Sequence, residues 1–247
     1  MFRYCGKLEN IPSSFKIPEG TESLYDMFRG CSSLKRLPEN FEIPKSVTSM
    51  SEMFYQCSGL EEIPDSFKIP ENTTSVISLF AGCSSLSKIP EDFKLHSRTT
   101  GVANLFSGCG KLTKIPDDFV LPEGVTSIQG LFGGCGIKKL PSNFKIPYGV
   151  TNMINSFIGC VFESFPENFE VPDTVTTMYN AFRGCGKLKG IITIKANPTD
   201  YTHCFAYGTS QSSGSTLTVN YSKKCTNIDD ILATGNSKFI KKGIQID

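Results

Sequence analysis

Apolar positions along the chain follow a single pattern that returns about every 26 residues. In the stretch around Phe54, the apolar residues Met50, Met53, Phe54 and Cys57 sit at i, i+3, i+4 and i+7, with Ser, Glu, Tyr and Gln between them. That spacing predicts a helix of about two turns with one buried stripe. The residue ahead of the stripe is Ser23, Ser49, Ser75, Gly101, Ser127, Asn152 or Thr177, each a type favoured at a helix N-cap. A glycine before the cysteine (Gly30, Gly82, Gly108, Gly134, Gly159 and Gly184) is suited to end the helix in a left-handed turn. Beyond it, Leu34-x-x-Leu37-Pro38 and Phe41-Glu42-Ile43-Pro44 predict extended segments, alternation sending Phe41 and Ile43 one way and Glu42 the other. Pro38 lacks an N–H, which weakens a central strand there.

The recurrence is strict. Cysteines stand at 5, 31, 57, 83, 109, 135, 160 and 185, and a phenylalanine precedes each by three residues, from Phe2 and Phe28 to Phe182. A proline follows each of the first seven cysteines, from Pro12 to Pro166. Two units lose one residue just after the cysteine, at Cys135-Gly136-Ile137 and Cys160-Val161-Phe162, where a deletion shortens a loop without shifting the rest. A unit this small cannot bury its own apolar face, so neighbours must bury it by stacking. The expected fold is an α/β repeat: a solenoid of about eight coils of 25–26 residues, with short helices and parallel strands. Strands about 4.8 Å apart would make eight coils on the order of 40 Å long. Equivalent side chains then form files, and the structural ladder is expected to include Phe28, Cys31, Phe54, Cys57, Phe80, Cys83, Phe106 and Cys109.

After Ile191 the period fails. Ile191–Ile194 and Leu217–Tyr221 predict strands, Thr226–Ala233 a short helix capped by Thr226, and Gly243–Asp247 a last strand. Terminal repeats of solenoids are atypical because they cover the final apolar layer. The expected division is therefore residues 1–190 as solenoid and 191–247 as a C-terminal capping region. Met1 aligns with Met27, inside a unit, which suggests a piece of a longer chain or an end covered by another chain.

Composition narrows the function classes. With 25 Lys+Arg against 24 Asp+Glu, the formal charge of +1 gives no basic footprint for nucleic acid. No apolar run is long enough to span a membrane, and Met1–Cys5 does not begin a signal peptide. Eight of the 10 cysteines fall in register and none forms a C-x₂₋₄-C pair, so a zinc site is not indicated. Stacked equivalents have parallel Cβ vectors, which points to buried free thiols rather than disulfides.

The order Leu34-x-x-Leu37, Phe41, Val47-Thr48-x-Met50-x-x-Met53-Phe54-x-x-Cys57 resembles the BspA-like leucine-rich repeats of bacterial and protist surface proteins, in their methionine-phenylalanine-x-x-cysteine form. The match covers about residues 1–190, with Pro38 and Pro44 as departures. The resemblance implies that the α/β repeat is a right-handed leucine-rich-repeat-like solenoid, on a cell surface or secreted and associated with adhesion, and it carries no catalytic residues.

Other candidates are weaker. His203-Cys204 pairs a base with a nucleophile, yet adjacent residues rarely present both groups to one substrate. His96 replaces a repeat proline and reads as a tolerated loop change. Acidic pairs such as Glu91-Asp92 and Asp117-Asp118 offer oxygens for Ca²⁺ but are common turn formers. Lys16, Lys68, Lys94 and Lys145 share a column with Glu42, Val120 and Glu170, a solvated mixed face. The threonine column from Thr48 to Thr176 suggests a hydroxyl ladder. Asn72-Thr73-Thr74 and Asn220-Tyr221-Ser222 match the glycosylation sequon. The expectation is a non-enzymatic interaction or adhesion module with no metal or cofactor, meeting a protein or glycan on a host or neighbouring cell. The alternative is an architectural rod or spacer in a larger surface or virion assembly.

Overall fold

A computed structural model describes residues 1–206, 216–236 and 238–246. The repeat units stack, but the segment from Met50 to Cys57 is not a helix. It is a run of tight turns. Met53, Tyr55 and Cys57 donate their N–H groups three residues back, to Met50, Glu52 and Phe54. The N–H groups between them leave the coil. Met50 donates to Ser75 O (2.9 Å), Glu52 to Ile77 O (2.8 Å), Phe54 to Leu79 O (3.1 Å) and Gln56 to Ala81 O (2.7 Å).

A helix would keep all of these donors to itself. What breaks the helix is a pair of left-handed residues in each coil. One column is Asp26, Glu52, Ser78, Asn104, Gly130, Asn155, Asn180 and His203, all with positive φ. The other is Tyr4, Gly30, Gln56, Gly82, Gly108, Gly134, Gly159 and Gly184. The glycines expected to be left-handed are so, but they close a turn and not a helix. The i, i+3, i+4, i+7 spacing still buries Met50, Met53, Phe54 and Cys57, because these turns also point those four side chains inward. The residues expected as N-caps instead form single parallel bridges between coils, in one row from Ser23 through Ser49 and Ser75 to Gly101 and in another from Ser127 through Asn152 and Thr177 to Asp200. Their side chains do accept from the N–H two residues on, Ser127 from Gln129 (3.3 Å) and Asn152 from Ile154 (2.9 Å). Such Asx- and Ser-turns explain the residue preference without a helix.

A second row of bridges joins Asn10, Arg36, Glu62 and Lys88. The Phe-x-Ile-Pro segments do not ladder in the early coils; the pairing appears only at the far end, as a four-stranded parallel sheet. It consists of β1 (Glu170–Val171), β2 (Gly190–Ile194), β3 (Leu217–Tyr221) and β4 (Ile240–Gln245), in that order. The last strand lies earlier than Gly243–Asp247, of which Asp247 is outside the described residues. The helix α1 spans Ile228–Ala233, with Asn227 at its N-cap and no side-chain cap bond, so Thr226 does not cap it.

Aromatic rings fill the core. Phe28 and Phe54 stack at 5.6 Å, Phe54 and Phe80 at 5.9 Å, Phe80 and Phe106 at 6.0 Å, Phe106 and Phe132 at 6.1 Å. The file continues beyond the sequence period. Phe182 stacks on Phe205 at 5.3 Å, and Phe182 N–H donates to Cys204 O, the same bond that Phe157 makes to Ala181. Residues 200–206 thus add a turn run at a spacing of 23 instead of 25, which is why the pattern is lost to the eye.

Gly130 isolates the constraint. Its φ is +60°, and a Cβ there would lie 1.9 Å from Asn104 Oδ1. Gly159 is also left-handed, at +66°, but a Cβ would meet nothing within 4 Å. Gly159→Ala is expected to cost only the backbone penalty of about 1–2 kcal/mol. Gly130→Ala should add the cost of swinging the Asn104 carboxamide aside, with each kcal/mol lowering the melting temperature by about 2–4 °C at this chain length. Equal losses in calorimetry would show that the carboxamide file carries no steric demand.

Candidate interaction surfaces

The cysteine file faces inward. From Cys31 to Cys185, each thiol of the file donates to the phenylalanine carbonyl of the coil before it: Cys57 to Phe28 O (3.0 Å), Cys83 to Phe54 O (3.1 Å), Cys109 to Phe80 O (3.2 Å), Cys160 to Phe132 O (3.1 Å). Cys31 makes the same bond to Phe2 O at 3.0 Å. Burial pushes the thiols of Cys57, Cys135 and Cys185 up to about 12, far from a nucleophile's range. All ten cysteines are free, and Cys5 alone among them is exposed. Cys204 is buried in the column of Leu131, Ser156 and Ala181, while its neighbour His203 is exposed beside Tyr179, so the two share no surface.

The other polar candidates are spent on local bonds. His96 Nε2 lies 2.9 Å from Ile69 O. The threonine column makes no hydroxyl-to-hydroxyl ladder: Thr74 Oγ1 donates to Thr48 O (3.1 Å) and Thr176 Oγ1 to Thr151 O (3.1 Å). Glu91 and Asp117 both approach Lys114, at 3.3 and 3.8 Å. Among the described residues no group of three or more His, Cys, Asp or Glu is placed to hold a metal ion. Of the two sequons, Asn72 is exposed, whereas Asn220 Oδ1 accepts from Ile244 N–H at 3.1 Å.

Two surfaces remain open. The first is the turn face. Its position after the core phenylalanine carries Arg3, Arg29 and Tyr55, then Ala81, Ser107 and Gly133, then Ile158 and Arg183. Large side chains therefore flank a low middle, and a depression of about 450 Å³ runs from Arg29 and Tyr55 over Ala81 to Ser107. At its rim Arg29 pairs with Asp26 at 3.2 Å and with Glu52, and its guanidinium lies 4.6 Å from the Tyr55 ring. The second surface is the edge carrying Phe-x-Ile-Pro, where adjacent coils part into grooves at Ile17–Ile43, Ile43–Ile69 and Ile146–Phe169. Neither is visible from the period alone, because each arises from departures within a column.

The family model for the BspA-type leucine-rich repeat region matches in six copies, over residues 1–135, 38–160 and 99–231. The chain belongs to the BspA-type leucine-rich repeat family. No curated protein and no solved structure matches it. Leucine-rich repeat domains generally bind proteins, this family is associated with surface proteins, and such repeats are typically non-catalytic. Among the described residues no helix is long and apolar enough to cross a membrane.

The thiol file sets a pH limit. An unfolded thiol ionises near pH 8.5, roughly, whereas Cys57, Cys135 and Cys185 stay neutral to about 12 in the fold. Their contribution to stability is fully present below the unfolded value and is lost as pH rises from there toward 12. Denaturant midpoints measured from neutral pH upward should fall throughout that window. Ellman's reagent should find one fast thiol in the native protein, removed by Cys5→Ser. Several fast thiols would contradict the buried file.

Proposed function

We propose that the chain is a non-catalytic interaction module of the adhesion type, displayed at a cell surface or secreted, which takes a protein partner on its turn face. The observation that carries this reading is the profile of that face, with Arg29 and Tyr55 beside a floor of Ala81 and Ser107. Tyr and Arg are the residue types that anchor protein interfaces, and a low floor beside them lets a partner approach the backbone closely. Family membership supports the same class of function. Residues 191–247 are proposed to serve as the C-terminal cap of a solenoid whose repeats occupy 1–190, with α1 and β3–β4 covering the last layer.

A second reading, a rod or spacer, is favoured by the unbroken ring file from Phe2 to Phe205. The two separate in one experiment. Purified protein is tested for attachment to host cells and to a panel of extracellular matrix proteins, beside Tyr55→Ala and Ser107→Arg. The binding module predicts saturable attachment that both variants weaken about tenfold or more, the size expected of an interface anchor. Attachment indifferent to both variants would remove the turn face as the site, and no attachment across the panel would leave the rod.

A further inference from the structure

The edge grooves differ in charge although they repeat in shape. The groove at Ile17–Ile43 has Lys16 and Lys45 against Glu19 and Glu42. The groove at Ile146–Phe169 has Lys145 and Lys195 against Glu170 and Asp173, and three of these four ions are in bonded pairs, Lys195 to Glu170 at 2.7 Å and Asp173 to Lys224 at 2.9 Å. Between them lies a larger groove of about 550 Å³ with three lysines, Lys45, Lys68 and Lys94, against Glu71 and Asp92. Lys68 is taken up by Asp92. Lys45 and Lys94 have no ion-pair partner among the described residues.

We infer that this central groove binds an anionic saccharide, with Lys45 and Lys94 holding its carboxylate or sulfate. Three features of the groove select that ligand. Lys94, and Lys45, which the groove shares with that at Ile17–Ile43, stand against the single remaining carboxylate of Glu71, so the groove favours a negative charge over a positive one. Glu71 and Asn72 add acceptors and an amide beside those donors, the mixture that a hydroxyl-rich ring uses. Half-buried Ile43 and the methylene stems of the lysines supply apolar surface for the carbon face of the ring, over a floor of buried Ile69 and Phe93. An extended acidic peptide fits less well. Strand addition needs main-chain donors along the edge, and Pro44 and Pro70 remove them in two successive coils. The site is separate from the turn face and does not depend on it.

The test is titration calorimetry of the full chain with four probes: a hyaluronan oligosaccharide, a heparin oligosaccharide, a neutral chitin oligosaccharide of similar length, and a poly-glutamate peptide. Either anionic sugar should bind saturably, the two arms telling carboxylate from sulfate. Amide shifts should centre on residues 68–96. Lys45→Gln with Lys94→Gln should weaken binding about tenfold or more, the loss expected when charge-assisted hydrogen bonds go. Lys145→Gln, in the same column but the balanced groove, should leave it unchanged. Both sites are exposed, and unchanged melting of the variants verifies folding. Binding of neither anionic sugar, equal binding of the chitin oligomer or of poly-glutamate, or equal loss with Lys145→Gln would overturn the proposal. Turn-face attachment, read separately through Ser107→Arg, is not expected to change in the lysine variants.

Discussion

The stack depends on where backbone N–H groups go. In each turn run, half of them close turns within their own coil and the alternate half reach the carbonyls of the next coil. A helix has no donors to spare in its interior, and a flat strand would not turn the chain within one coil. Two left-handed residues, four positions apart, give the chain both at once: tight curvature and outward-facing amides. Everything else is arranged around this. Phenylalanines come into register because their backbones are hydrogen-bonded in register, and ring stacks of this kind add about 0.5–1.5 kcal/mol per pair beyond burial. The thiols complete the pattern: each phenylalanine carbonyl that accepts the cysteine N–H of its own coil also accepts the thiol of the next.

Much of this was legible in the sequence, and the failures have identifiable causes. The period and the inward side of Met50, Met53, Phe54 and Cys57 follow from apolar spacing alone. The helix does not, because the i, i+3, i+4, i+7 pattern is shared by any backbone that turns once in three to four residues. The discriminating signal was present in Asp26, Asn104, Gly130, Asn155 and Asn180, one column of residue types that tolerate positive φ. Glu52 and Ser78 in the same column blurred it. The repeat also carries further than its spelling: a coil with a spacing of 23 keeps the bond of Phe182 to Cys204 O and the stack of Phe182 on Phe205 while losing the alignment.

Candidate surfaces were the least legible part. A column average describes Lys16, Glu42, Lys68, Lys94, Val120 and Lys145 as a mixed solvated face, and on average it is one. Recognition depends on the local sum, and only coordinates show that Lys45, Lys68 and Lys94 line one groove while Lys145 faces a balanced one. The same holds for the turn face, where the informative change is the loss of side chain from Tyr55 to Ala81, Ser107 and Gly133. In a repeat protein the scaffold is written in what recurs and the specificity in what does not.

The two single-residue deletions, both just after a cysteine, show where such a body tolerates change. A residue lost inside the turn run would exchange its inward and outward amides and break the register with both neighbours. A residue lost beyond the cysteine leaves that register untouched. Growth or shrinkage of the molecule is therefore quantised in whole coils, each adding the same increment of reach. Reach and surface chemistry become separate variables, so a lineage can lengthen the molecule by duplication and later retune single exposed positions without reopening the interior.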